Sequence, residues 1–390
     1  MTNRWISDSL KGMDPEPFGA INEKISKMDD VVNFGSGDPT FSTPPHIVNA
    51  AHQAMLSGYT RYTPTQGLPE LRKAISAYYR KCNVQIDPEN EIIVTPGSQQ
   101  ALFLTLISTL NPGDEVLIPN PSYTVYSPIV KYLKAEPVHY TLDKKTNFHV
   151  DPDSLRESVN SRTKIIIICS PNNPTGTVYN REDLEAIRNV AIENDLLVIS
   201  DEIYSEFIWG VNRHLSIASL PDMKERTIVI VSFSKTFAMT GWRLGYLLAD
   251  SHLVKMMLQL QGNMIICSPA FVQNAAVSAL EGSWEVVTKM ADEYNARIDY
   301  MTKRLNDING VTCLKPEGAF YLWVDISQLT SSCLEFTDAL LDSKGVVTLA
   351  GVHFGSNGEG YMRLALVHEM ETLVKGMDRI EEFIEEYRKT

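Results

Sequence analysis

The chain has 390 residues, 44% hydrophobic and 21% charged, so a large buried core is expected and extended disorder is excluded. Its 35 basic and 48 acidic residues leave a formal charge of −13, which argues against non-specific binding to nucleic acid or to an anionic membrane surface. The five cysteines are widely spaced without a Cys-x-x-Cys, and no His-Glu-x-x-His occurs, so neither a disulfide framework nor a metal site is expected. No apolar run reaches membrane-span length, and Met1 to Leu10 lack a signal-peptide core; the expectation is a soluble cytoplasmic protein with no membrane partner.

In chain order, residues 16–30 read as a polar helix, followed by an irregular Gly- and Pro-rich stretch from Gly35 to Pro45. Helices are predicted at 46–57 and 68–80. Then short β-branched runs recur at Ile92–Thr95, Val116–Ile118, Lys164–Cys169, Leu196–Ser200 and Thr227–Phe233, separated by helical patterns or long crossovers, with a further strand expected within Arg243–Ala249. Apolar strands alternating with helices imply an α/β fold with a mostly parallel sheet covered on both faces. After about residue 280 the pattern changes to a long helix at 285–308 and strand-like runs at 319–324 and 361–367. Met370, Leu373, Met377, Ile380 and Ile384 then mark an amphipathic terminal helix. The predicted division is a large α/β domain at 45–280 and a smaller α+β domain from 281–390 joined by residues 1–44.

Ligands of open parallel sheets bind beyond the carboxyl ends of the strands, and four such ends carry reactive side chains. In Val94-Thr-Pro-Gly-Ser-Gln-Gln-Ala101 a strand stops and an apolar helix begins near Ser98; this is either a phosphate-binding helix N-terminus or an ordinary turn with a serine cap. Ser170-Pro-Asn-Asn-Pro-Thr-Gly176 forms a rigid turn whose asparagines either bind a ligand or close Asx turns. In Ile199-Ser-Asp-Glu-Ile-Tyr204, Asp201 ends a buried strand, where an ionised carboxylate requires a cation: a ligand or a structural salt bridge. In Val231-Ser-Phe-Ser-Lys-Thr-Phe-Ala-Met-Thr-Gly-Trp-Arg-Leu-Gly245, Lys235 follows a buried strand among hydroxyls and apolar groups, a setting that lowers an amine pKa and suits Schiff-base chemistry. Arg243 follows, with Gly241 permitting close approach. An amine, a carboxylate, a helix N-terminus and an arginine at the ends of one sheet match the needs of pyridoxal phosphate.

Together with Tyr59-Thr-Arg-Tyr-Thr-Pro-Thr-Gln-Gly67, these segments resemble, in order and spacing and over nearly the whole chain, those of the fold-type I, class I/II aminotransferases. The resemblance implies a pyridoxal 5'-phosphate enzyme that moves the α-amino group of an amino acid to a 2-oxo acid by a ping-pong route. Lys235 would hold the cofactor covalently and move the α-proton, Asp201 would pair with the pyridine nitrogen, and Asn173 and Tyr204 would bond the phenolic oxygen; Lys235, Asp201 and Tyr204 form the catalytic group. Tyr123 would stack on the ring. Ser98, Gln99, Ser232, Ser234 and Arg243 would hold the phosphate, joined by Tyr62 from the other subunit of a homodimer. Arg363, in the alternating run Tyr361 to Val367, would take the substrate α-carboxylate with the backbone of Gly37 and with Asn173.

Substrate choice is less determined. No arginine occurs between Arg243 and Arg297 to meet a second carboxylate, and Gln261 to Cys267 are apolar or neutral, so aspartate-like, aromatic and broad specificity all stay open. Phe18 either closes over the site or packs. The same residues would serve a lyase or a ring-forming synthase. A transcription regulator with an aminotransferase-like module ranks below both, because it needs an added DNA-binding domain and a basic face.

Overall fold

The computed structural model of the chain describes residues 3–11, 13, 17–210 and 213–389. In chain order the strands are β1 (Val32–Asn33), β2 (Ile92–Thr95), β3 (Glu115–Asn120), β4 (Glu136–Thr141), β5 (Thr163–Cys169), β6 (Leu197–Asp201), β7 (Thr227–Ser232) and β8 (Gly245–Leu248). They are followed by β9 (Thr312–Cys313), β10 (Tyr321–Asp325), β11 (Val346–Val347), β12 (Leu349–Ala350) and β13 (Tyr361–Ala365). Isoleucine and valine dominate β2, β5 and β7, where branched side chains suit a pleated, buried surface. Successive residues of β5 serve opposite faces: Ile165 and Ile167 enter one apolar cluster, Ile166 and Ile168 another. A sheet apolar on both faces must be covered on both, and the helices between the strands cover it.

Among the described residues this large sheet has seven strands in the order β2-β8-β7-β6-β5-β3-β4. The β3–β4, β3–β5, β5–β6 and β6–β7 pairs are parallel, whereas β8 runs antiparallel to β2 and β7. The carboxyl ends of β2, β3, β5, β6 and β7 therefore lie along one edge of the sheet. Because β8 is reversed, its beginning joins them: Gly245 lies opposite both Thr95 and Ser232. That reversal carries Arg243 to the end of the sheet where Lys235 emerges.

The expected strands are present, their limits moved by a residue or two, and β8 fulfils the expectation for 243–249. β4 was not foreseen. Its sequence, Glu-Pro-Val-His-Tyr-Thr, buries only Tyr140, because an edge strand needs no continuous apolar run and tolerates a proline. The first helix is shorter than expected, Pro17–Ile25 rather than 16–30, and the side chain of Phe18 lies outside the described residues.

The C-terminal third forms a four-stranded antiparallel sheet, β12-β13-β10-β9, with Trp323 of β10 opposite Arg363 of β13. The terminal helix Met370–Tyr387 buries Leu373, Met377, Ile380 and Ile384, as its period predicts. β1 pairs in parallel with β11, so the chain's beginning is held beside its end. No helix among the described residues is long and apolar enough to cross a membrane, and no His, Cys, Asp and Glu cluster of metal-binding kind occurs among them. All five cysteines are unpaired.

Candidate active site

A cavity of about 310 Å³ opens over the carboxyl edge of the large sheet. Its lining includes Gly37, Ser98, Gln99, Tyr123, Asn173, Asp201, Tyr204, Ser232, Ser234, Lys235, Arg243 and Arg363. All the site residues drawn from the sequence converge there except Tyr62. That side chain is 81% exposed and lies outside the cavity of its own chain.

At the end of β2, Gly97 has φ +90°, a conformation that glycine adopts without steric cost. It is the N-cap of the helix Ser98–Thr109, and no side chain caps that helix. Ser98 is the first helical residue, so the serine-cap reading fails and the terminal N–H groups face the cavity uncapped. A Cβ at Gly97 would lie 2.9 Å from Nη2 of Arg243, and one at Gly245 would lie 2.8 Å from the Ser98 nitrogen. Two glycines thus let a guanidinium and a helix N-terminus crowd together. No carboxylate among the described residues pairs with Arg243, whose Nη1 donates to the Thr240 carbonyl at 2.9 Å.

The asparagines after β5 divide their work. Asn172 closes the turn, accepting from the Thr175 backbone at 3.2 Å, whereas Asn173 Oδ1 accepts from Nη1 of Arg363 at 3.1 Å. Asp201, at the end of β6, is 7% exposed and forms no salt bridge among the described residues. The Tyr126 hydroxyl donates to its Oδ2 at 2.7 Å and the Ile203 N–H to Oδ1 at 3.3 Å. Burial pushes the carboxyl up to about 6, against the pull of those two donors. The absence of a structural cation removes the plainer explanation for this acid and leaves a position that a cationic ligand would stabilise.

Beyond β7, Ser232 caps the short helix Phe233–Thr236, accepting from Ser234 N–H at 3.0 Å. Lys235 Nζ donates to the Gly37 carbonyl at 2.6 Å and stands 5.9 Å from the centre of the Phe320 ring. Burial draws this amine down to about 8; Asp38 opposes the shift, and Arg363 and Arg243 reinforce it. An amine poised there exchanges protons near neutral pH.

The far wall comes from elsewhere in the chain. Arg363 is buried, and its Nη2 donates to the Gly35 carbonyl. Its guanidinium lies 4.4 Å from the Tyr321 ring centre and 5.0 Å from that of Phe354. No carboxylate among the described residues pairs with it, and its buried Nε has no partner. The Tyr204 and Tyr321 hydroxyls meet at 2.8 Å. A Cβ at Gly37 would lie 2.3 Å from the Tyr321 hydroxyl, so only glycine fits there without displacing the tyrosine.

Sequence reasoning missed Tyr126, Tyr321 and Asp38. Tyr126 lies three residues after Tyr123, at the start of the helix Tyr126–Tyr132, and its spacing alone gave no hint that it turns inward to Asp201. Tyr321 was placed in a strand but without its partner Tyr204, a contact that sequence does not encode locally.

The residues fit pyridoxal phosphate. An amine, an unpaired buried acid, an uncapped helix N-terminus beside an unpaired arginine, and a second arginine with an orphaned nitrogen form a complementary set. Comparisons with known proteins agree. The profile of the family "Aminotransferase class I and II" matches residues 29–380. The chain is 41% identical over 388 residues to an aspartate aminotransferase of Pyrococcus abyssi, covering 99% of this chain and 100% of that one. It is 38% identical over 384 residues to aromatic-amino-acid aminotransferase 2 of Thermococcus litoralis, covering 98% of each. The crystal structure of an aromatic aminotransferase from Pyrococcus horikoshii superimposes with a TM-score of 0.90 at 39% identity, over 95% of this chain and 100% of that one.

Proposed function

Because the chain belongs to the class I and II aminotransferases, we propose that the cavity over the sheet edge is its active site, with roles set by the geometry around Lys235, Asp201 and Arg363. The enzyme is a pyridoxal-phosphate-dependent transaminase that moves an α-amino group from an amino acid to a 2-oxo acid. When bound, the cofactor supplies an aldehyde that joins an amine and a ring that withdraws electrons from the substrate Cα.

Each side chain then has a task. Lys235 would hold the cofactor through its amine and would carry the proton to and from the substrate Cα; its depressed pKa suits both duties. Asp201 pairs with the protonated pyridine nitrogen, the cation it otherwise lacks. Asn173 and Tyr204 orient the phenolic oxygen, and Tyr123 covers the ring. The N–H groups of Ser98 and Gln99, the hydroxyls of Ser232 and Ser234, and Arg243 hold the phosphate. Arg363 takes the α-carboxylate with its guanidinium, which lines the cavity and pairs with no carboxylate among the described residues. In this reading 45–280 binds the cofactor, whereas 1–44 and 281–390 close the substrate side.

The observation that carries the reading is the meeting in one cavity of a half-buried lysine, its pKa drawn down by desolvation, and a buried acid that pairs with no cation among the described residues. A panel of amino donors with 2-oxoglutarate tests it. Addition of an effective donor alone should change the visible spectrum of the holoenzyme without releasing ammonia; ammonia and pyruvate without an acceptor would instead mean a lyase. The relatives described above are aminotransferases, which favours transamination over a lyase or synthase. Donor preference follows the apolar stretch Gln261 to Cys267, which offers no cation to a second carboxylate: aromatic or broad use is expected alongside aspartate.

The same reading makes the protein a homodimer. Tyr59, Tyr62, Met264 and Ile266 are exposed, and the Thr63 N–H donates to Cys267 Sγ at 3.4 Å, which sets the two exposed segments side by side. Burying that patch against a second copy would send Tyr62 to the partner's phosphate. Mixing Lys235→Ala and Tyr62→Phe proteins should then restore activity beyond that of either alone. The five unpaired cysteines suit the cytoplasm.

A further inference from the structure

Two arginines head the largest fully buried side chains of the protein, Arg363 and Arg297. Desolvating a guanidinium is costly, and in the reading proposed above Arg363 has the substrate carboxylate to offset it. Arg297 does not line the cavity. Among the described residues its charge is balanced only by Glu293, whose Oε1 accepts from Nε and Nη2 at 3.3 Å, and by Glu369 at 3.7 Å. Both acids keep much of their contact with water, at 43% and 73% exposure.

What Arg297 grips is more telling. It projects from the helix Glu285–Asn306, and its Nη1 donates to the carbonyls of Leu366 at 3.4 Å and Val367 at 3.0 Å, directly after β13. Its guanidinium carbon lies 5.0 Å from the Phe41 ring centre and 5.5 Å from that of Tyr294, and those two rings meet edge to face at 5.4 Å. The Thr40 hydroxyl donates to the same Val367 carbonyl. One side chain therefore joins three segments: the long helix, the continuation of the strand that carries Arg363, and the irregular strap at 33–41.

The strap gives both arginine and lysine their backbone acceptors. The Gly35 carbonyl receives Arg363 and the Gly37 carbonyl receives Lys235. Upstream of these, the strap is tied to the β13 segment by Ala365 N–H to the Phe34 carbonyl at 2.7 Å and by His368 to the Asn33 carbonyl at 2.7 Å. Downstream, its ties to that segment are Thr40 and the Phe41–Arg297 contact. Without the second tie, Gly37 can shift relative to Arg363.

We infer that Arg297 is a positioning residue for the substrate carboxylate, holding the strap against the β13 segment so that Gly35, Gly37 and Arg363 keep their spacing. The inference rests on the reading that Arg363 binds the α-carboxylate. Arg297 touches neither substrate nor cofactor in this role, and Lys235 is placed by the capped helix Phe233–Thr236 besides its contact with Gly37, so the loss of Arg297 acts chiefly on substrate affinity.

The test is steady-state kinetics of the Arg297→Met holoenzyme with its best amino donor and with 2-oxoglutarate, beside the wild type. Both KM values should rise roughly tenfold, since small misplacements of a binding group are costly. kcat should change less than about threefold, and the visible band of the bound cofactor and its pH titration should not move. Arg297→Lys, which restores one donor to Val367, should recover part of the loss. In an Arg363→Ala background the same substitution should change KM by less than about twofold, because the two residues act through one contact. KM values equal to wild type with a lowered melting temperature, a fall in kcat at constant KM, or additive effects with Arg363→Ala would each overturn the inference. Should Arg297→Met not accumulate as folded protein, Phe41→Leu removes the ring contact and keeps the arginine; it should raise both KM values in the same direction, and unchanged values would overturn the inference equally. A wild-type protein without transaminase activity would instead count against the underlying reading.

Discussion

The two walls of the cavity are built in opposite ways. The sheet-edge wall takes Ser98, Asn173, Asp201, Lys235 and Arg243 from strand ends of one sheet and the segments directly beside them, and each is positioned by its own short segment. The opposite wall takes Gly37 from the start of the chain, and Tyr321 and Arg363 from the far end, and is held by contacts between segments more than three hundred residues apart: Arg363 to Gly35 is one, the Ala365 N–H to the Phe34 carbonyl another. Local geometry fixes the first wall; only the packing of chain ends against each other fixes the second. The sheet-edge wall should therefore govern the chemistry and the cofactor, and the opposite wall the affinity for substrate.

Breaking the sheet-edge wall at its centre gives the largest effect. Lys235→Ala should lower kcat by about 10⁴-fold and abolish the visible absorption of the covalently held cofactor, with circular dichroism unchanged; a surviving band would refute the tether. On the opposite wall, Arg363→Ala should raise KM for every α-amino acid by about 10²-fold, with the cofactor spectrum retained. An effect confined to one class of side chain would mean that Arg363 reads the side chain instead.

Asp201 sharpens the contrast through pH. Its carboxyl is raised to about 6 in the fold, above the unfolded value near 3.9, so the native apoprotein binds more protons than the unfolded chain between those values. Stability contributed by this group falls as pH rises from about 4 to about 6, and the penalty persists above. The Asp201→Asn apoprotein should accordingly be more stable than wild type at pH 7 to 8 by up to roughly 3 kcal/mol, and the gap should close below about pH 4 in urea unfolding. Equal stability at pH 8 would show that another group already compensates the acid. The smallest expected change is at Tyr126: Tyr126→Phe removes the 2.7 Å donor to Asp201 and should lower kcat about tenfold, with KM for the amino donor nearly unchanged.

The sequence by itself determined the sheet-edge wall almost completely. Strand, turn and reactive residue are contiguous in Ile199 to Tyr204 and in Val231 to Gly245, so a buried apolar run announces where its terminal side chain emerges. It also disclosed Arg363, because a charge within an alternating strand demands a partner. What it could not disclose were contacts with no local signature. β4 hid because an edge strand needs little burial, and Tyr126 and Tyr321 hid because their partners, Asp201 and Tyr204, lie far away in the chain. Arg297 carried no mark of its importance either, since a lone arginine on an amphipathic helix reads as solvated until the strap at 33–41 and the end of β13 close over it. Periodicity and turn chemistry act over a few residues and are written in order along the chain. The distance between the two walls is set by packing of segments from both ends, and only the tertiary structure decided it.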